Sequence, residues 1–179
     1  METFKKEFLE IYQKIHIPFN RYCRSKTIGI MSAEDLMQEA ILRALEHYAK
    51  INDPKKLNSY LISIVNNLVR NEARKNKFKG TWNESVYQNL ISNDIAPETA
   101  LDIEYLFQCI HQLNPKDKEI ILLFDISGFS IKEIAEIQQS SISATKTRLH
   151  RARKQLKVLA KDSEQSMIQK LQTISAIFL

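Results

Sequence analysis

The stretch Ser130–Lys161, SIKEIAEIQQSSISATKTRLHRARKQLKVLAK, decides how this chain is read. Apolar residues recur at helical spacing on both sides of Gln138–Ser141. This predicts a short helix over Ser130–Gln138, a turn, and a longer helix over Ser141–Lys161, the layout of a helix-turn-helix. At about 100° per residue, Leu149, Ala152, Leu156 and Leu159 share one narrow arc of the longer helix, while Lys146, His150, Arg153, Lys157 and Lys161 cluster on another. One arc packs and the other can meet phosphates. Ser143, Ala144, Thr147 and Arg148, near the amino end, are the short or polar side chains that would approach base edges in a major groove. A solvated basic face of an ordinary surface helix is the plainer reading of the same charges.

Working outward, the charge is segregated. The chain has 179 residues, 26 Lys+Arg and 21 Asp+Glu, for a formal net charge of +5. Arg70, Arg74, Lys75, Lys77 and Lys79 crowd one segment against Glu72 alone, and the run from Ser140 to Lys161 holds no acid at all. Between them, Thr81–Ile110 has Glu84, Asp94, Glu98, Asp102 and Glu104 and no Lys or Arg. Two cationic surfaces separated by an acidic stretch suggest two contacts with one polyanion.

Other classes fall away. Cys23 and Cys109 form no metal-ligand spacing, which leaves no disulfide framework or zinc site and fits a reducing cytoplasm. Three glycines, Gly29, Gly80 and Gly128, cannot build a glycine-rich phosphate loop. His16, His47, His111 and His150 are scattered, no nucleophile has an adjacent base, and no cofactor is expected, so the chain reads as a non-enzyme. No apolar run reaches the roughly 20 residues of a membrane span, and the amino terminus METFKKEFLE is unlike a signal peptide, so no membrane insertion is expected.

The fold class expected is all-α. A first helix runs from Phe4 to about Lys26 with a break at Pro18. Ser32 caps a second, with Leu36, Ala40, Ile41, Ala44, Leu45 and Tyr48 as its apolar face; a third, about Lys55–Lys77, buries Leu57, Leu61, Ile64, Val65 and Leu68. Residues 1–79 then form one small helical domain, 80–96 a polar acidic linker, 97–161 a second domain, and 162–179 an apolar tail. Helices are expected at Pro97–Leu113 and Pro115–Ile126, the prolines sitting in first turns. The tail carries Met167, Ile168, Leu171, Ile174, Ile177 and Phe178 and needs a partner surface, its own or another protein's.

These motifs resemble a known family. Leu113–Leu156 is similar to region four of bacterial sigma factors of the sigma-seventy family, above all the extracytoplasmic-function (ECF) group. The likeness lies in Gly128 in the turn, Glu133-Ile134-Ala135 in the first helix, and Lys146-x-Arg148-Leu149-His150-Arg151-Ala152-Arg153 in the recognition helix. Ala33-Glu34-Asp35-Leu36-Met37-Gln38-Glu39-Ala40 resembles region 2.2, and Tyr60–Leu68 with Arg74-Lys75 resembles regions 2.3 and 2.4. The resemblance implies an alternative sigma factor whose partners are core RNA polymerase and promoter DNA, with an anti-sigma protein as a further one. It implies polymerase binding by Asp35, Leu36, Gln38 and Glu39, and reading of the downstream promoter element by Tyr60, Asn67, Arg70, Asn71, Arg74, Lys75 and Lys77. The loop Lys50–Ser59 would help enclose a flipped base. The upstream element falls to Ser143, Ala144, Lys146, Thr147, Arg148, His150, Arg151, Arg153 and Lys157.

Tyr60 stands where the family usually has Trp, Asn66 where an Arg is frequent, and the usual Leu-Gly-Ile-Ser turn is Gln138-Gln139-Ser140-Ser141. Without that Gly, the turn lacks the residue that most easily takes positive φ. The competing reading is a helix-turn-helix regulator independent of core polymerase, which leaves the first domain's pattern unexplained. A carboxylate metal site at Glu34, Asp35 and Glu39 lacks the rest of a ligand set. The acidic linker and the tail offer two routes to autoinhibition of the free protein.

Overall fold

The computed structural model describes residues 2–28, 30–48, 56–79 and 96–178. Of the side chains in these ranges, those of 2–5, 76–79 and 97 lie outside the description. Every element among the described residues is helical: α1 Glu2–Thr27, α2 Ala33–His47, α3 Leu57–Lys79, α4 Pro97–Gln112, α5 Pro115–Ile121 running on as a π turn over Leu122–Ile126, α6 Ile131–Ile137, α7 Ile142–Ala160 and α8 Glu164–Ile177.

Local chemistry sets most boundaries. Ser32 accepts the Asp35 backbone N–H at 3.3 Å and starts α2. Ser130 and Glu133 cap each other reciprocally in a capping box at α6, and Ser141 accepts from the Ala144 N–H at 3.1 Å to start α7. Asn114 and Ser163 do the same for α5 and α8. Gly128, at φ +85°, releases the chain from the π turn into α6.

The break expected at Pro18 is corrected: α1 is one helix of 26 residues with Pro18 inside it. Ile15 and Phe19, on either side of Pro18, are both buried, as are Phe8 before them and Tyr22 and Cys23 after. Packing along the whole length outweighs the one hydrogen bond that proline removes. Residues 80–95 of the expected linker lie outside the described residues.

Helices α1, α2 and α3 pack on one another, and α4 to α8 form a second group around α7 and the π turn. The two groups are in contact, α1 against the π turn and α3 against α6, and their buried side chains form one continuous apolar cluster. The tail finds its partner within the chain. Helix α8 lies against α4, α7 and the π turn, buries Met167, Leu171, Ile174 and Phe178, and sets Phe178 beside Phe107 with ring centroids 6.2 Å apart. Lys170 ties it down to Asp162 at 3.0 Å and Asp102 at 3.7 Å.

Candidate polymerase and nucleic-acid interfaces

Helix α2 buries Leu36, Ala40 and Ala44 and turns its polar residues outward. Asp35 and Gln38 are exposed, and Glu39 is half-exposed and paired with Arg43 one turn on at 2.6 Å. Leu36, expected among the polymerase contacts, is 0% exposed. It is a core residue, since the helical period that brings Asp35, Gln38 and Glu39 outward carries the position between them inward.

On α3 the apolar face of Leu57, Leu61, Ile64 and Val65 is buried, and Tyr60 lies half-buried against the same core. Asn67, Arg70, Asn71, Arg74 and Lys75 are exposed together. Lys75 is paired with Glu72 at 3.0 Å, whereas Arg70 and Arg74 have no ion pair among the described residues. The Lys77 side chain and the loop 50–55 lie outside the description.

Helix α7 buries Thr145, Leu149, Ala152, Leu156 and Ala160. Ser143, Ala144, Lys146, Thr147, His150, Arg151 and Lys157 stand exposed on the remaining surface. Two basic residues of the expected set are otherwise engaged. Arg148 is half-buried, and its Nη1 donates to Gln138 Oε1 in the preceding turn at 2.9 Å. Arg153 points inward as a fork on the Asp125 carboxylate, Nε to Oδ2 at 3.2 Å and Nη2 to Oδ1, with its guanidinium 5.2 Å from the Phe124 ring centre. The Asp125 side chain is 5% exposed, and burial pushes its carboxyl up against the opposing pull of Arg153. Arg153, expected on DNA, is held in this structure by an ion pair with Asp125. Sequence spacing could not reveal it, because Asp125 lies 28 residues away in the π turn.

The turn itself adopts the conformation that glycine would suit. Gln139 has φ +50°. Beside it, Ser140 Oγ and Thr145 Oγ1 share a hydrogen bond of 2.8 Å, and Thr145 Oγ1 also donates to the Ser141 carbonyl at 2.9 Å.

Comparison with known proteins agrees with this geometry. Residues 11–79 match the family Sigma-70 region 2, and residues 103–156 match Sigma-70, region 4. The ECF RNA polymerase sigma factor SigM of Bacillus subtilis is 30% identical over 152 residues, 84% of this chain and 93% of the relative. The chain belongs to the ECF RNA polymerase sigma factors. SigW of the same organism is 28% identical over 169 residues, covering 87% of this chain and 88% of its own. In fold, this sigma factor is similar to RpoE of Bartonella quintana, solved with the anti-sigma factor NepR. That likeness has a TM-score of 0.59 and 24% identity over 90% of this chain and 98% of the other.

One cluster in this sigma factor was not visible in its sequence. Glu119, on α5, accepts from Lys26 Nζ at 3.0 Å and from Asn66 Nδ2 at 3.0 Å, and takes a short hydrogen bond from the Tyr22 hydroxyl. Asn58 on α3 donates to Glu133 on α6 at 3.4 Å. Burial and the Glu119 charge hold the Tyr22 hydroxyl well above its ordinary pKa. The partners are 53 to 97 positions from Glu119, so no local period brings them together. Among the described residues, no three His, Cys, Asp or Glu side chains gather to hold a metal, and no helix is long and apolar enough to cross a membrane.

Proposed function

We propose that this ECF sigma factor directs core RNA polymerase to its promoters through three surfaces, each built on one helix. The polar face of α2, Asp35, Gln38 and Glu39, docks on the polymerase. The exposed ladder Asn67, Asn71 and Arg74 on α3, with Arg70 and Lys75 beside it and Tyr60 at its base, holds the unpaired strand of the downstream element. Amides meet bases and cations meet phosphates there. The amino half of α7, Ser143, Ala144, Lys146, Thr147, His150 and Arg151, reads the upstream element in duplex form, and Lys157 adds a phosphate contact. In this reading residues 1–79 and 97–161 are the two working units, the protein acts in the cytoplasm without catalysis of its own, and an anti-sigma protein is a further partner.

The observation that carries the proposal is the exposure, on one chain, of an amide and arginine ladder on α3 together with an acid-free basic helix α7. A duplex-binding regulator has a use for α7 only. The test is permanganate footprinting of promoter DNA with core polymerase. Wild-type protein is expected to expose reactive thymines around the downstream element, and Asn67→Ala/Asn71→Ala to abolish them while leaving core binding intact. Gln38→Ala/Glu39→Ala is expected to weaken core binding with helical content unchanged. Unaltered melting and core binding in both variants would overturn the assignment.

A further inference from the structure

The two half-buried arginines of α7 use their guanidinium groups differently. Arg153 commits its Nε and Nη2 edge to the Asp125 carboxylate. Arg148 is tied at its other end, by Nη1 alone, to Gln138 Oε1 at 2.9 Å. Its Nε and Nη2 have no partner among the described residues, and neither is sealed from solvent. What Arg148 leaves free is the pair of parallel N–H groups with which an arginine grips two acceptors at once.

That edge borders a cleft. Asp117, Ala144, Thr147, Arg148, Arg151 and Gln155 line a space of about 430 Å³ between α5 and α7. Ala144 and Arg151 lie four residues before and three after Arg148, on the same side of the helix, and both are exposed, as is Thr147. The cleft therefore opens on the surface assigned above to the upstream element. Charge selects its occupant. Asp117 is 9% exposed and puts a negative charge on the cleft wall, which opposes a phosphate. Guanine presents O6 and N7 side by side on its major-groove edge, two uncharged acceptors that match an arginine fork.

Gln138 is itself fixed. It closes α6 with its backbone N–H on the Ile134 carbonyl at 2.8 Å. Beyond it the turn is held by Gln139 at φ +50° and by the Ser140 N–H on the Ala135 carbonyl at 2.9 Å. A side-chain oxygen on this turn holds the guanidinium in one orientation before DNA arrives, and a group aimed in advance loses less freedom on binding. An aliphatic side chain at position 138 would offer no acceptor. We propose that Gln138 is a positioning residue that aims the free edge of Arg148 at a guanine of the upstream element, so that the turn sets one base of the promoter preference. The proposal rests on the reading of α7 given above.

The full chain, assembled with core polymerase on promoter duplexes randomised across the upstream element, tests it. Wild type is expected to favour guanine at one position by about fivefold or more, the lower end for a bidentate base contact. Arg148→Ala is expected to lose that preference and keep those at other positions. Gln138→Leu is expected to lose most of it as well, Gln138→Glu to retain it, and Gln138→Leu/Arg148→Ala to be no worse than Arg148→Ala alone. An unchanged preference in Gln138→Leu overturns the proposal. So does a weakening spread evenly over all sequences in either single variant, the mark of a phosphate contact or a purely structural brace. A second arm needs no variant: a guanine analogue with carbon in place of N7, set at the preferred position, should lower wild-type affinity several-fold, and an unchanged affinity overturns the proposal too. Absence of any base preference in wild type would instead bring down the assignment of α7 to the upstream element, and the role of Gln138 with it.

Discussion

Replacing Arg153 with alanine is expected to cost the fold about 2–4 kcal/mol at pH 7, the signature of a structural rather than a DNA-binding arginine. At 3.2 Å and an effective dielectric constant of about 20, the charge attraction to Asp125 is about 5 kcal/mol before desolvation is deducted. The loss has a ceiling, because the abandoned carboxylate can take up a proton. At pH 7 that costs a carboxyl of ordinary pKa about 4 kcal/mol. Burial already raises the Asp125 pKa with Arg153 present, and removing the arginine raises it further. The folded variant therefore binds its proton more readily than the unfolded chain does, and lowering the pH toward the ordinary carboxylate value restores stability relative to wild type. Urea unfolding followed by circular dichroism at pH 7 and pH 4.5 checks both points, and Asp125→Asn in the Arg153→Ala background should recover part of the deficit at pH 7. A deficit below about 0.5 kcal/mol, the range of ordinary surface substitutions, or one independent of pH, would show that Arg153 carries no buried ion pair.

Gln139→Gly should stabilise the protein by about 0.5–1 kcal/mol, since relief of the left-handed conformation outweighs the added freedom of the unfolded chain; a melting temperature unchanged or lowered would count against this. Deleting residues 162–179 should cost several kcal/mol, because Met167, Leu171, Ile174 and Phe178 are buried and each is worth about 1.5–3 kcal/mol; denaturant unfolding of the truncated chain measures it. Cys23 and Cys109 should resist thiol reagents in the native protein and react on unfolding, as both are buried and burial raises the Cys23 thiol pKa well above its usual value. Lys157→Ala should lower affinity for upstream-element duplex equally for all sequences and reduce the log-log salt slope by about 0.9, whereas Thr147→Ala should change base preference.

What could be read from the sequence was what local chemistry fixes. Ser32, Ser130 and Ser141 marked helix starts because a capping hydroxyl acts within three residues, and the apolar arcs of α2, α3 and α7 lie where their period put them. Pro18 misled because its cost is local while the packing of Ile15, Phe19 and Tyr22 that outweighs it is tertiary. Leu36 was set among contacts by its motif although its period with Ala40 and Ala44 already marked it as core. Arg153 belongs by angle to the basic arc, yet it borders the buried one, and only the folded π turn brings Asp125 within its reach. The junction at Glu119 joins residues from three helices and leaves no trace in spacing. Asn67, Asn71 and Arg74 share one face of α3 by their spacing of four and three, and the fold leaves that face exposed.

The most direct test of the whole account is transcription from genomic fragments by core RNA polymerase with and without the purified protein. Discrete transcripts are expected that require the protein and disappear with Gln38→Ala/Glu39→Ala and with Asn67→Ala/Asn71→Ala. Transcript patterns identical with and without the protein, in a reaction where another sigma factor programs the same core enzyme, would contradict it.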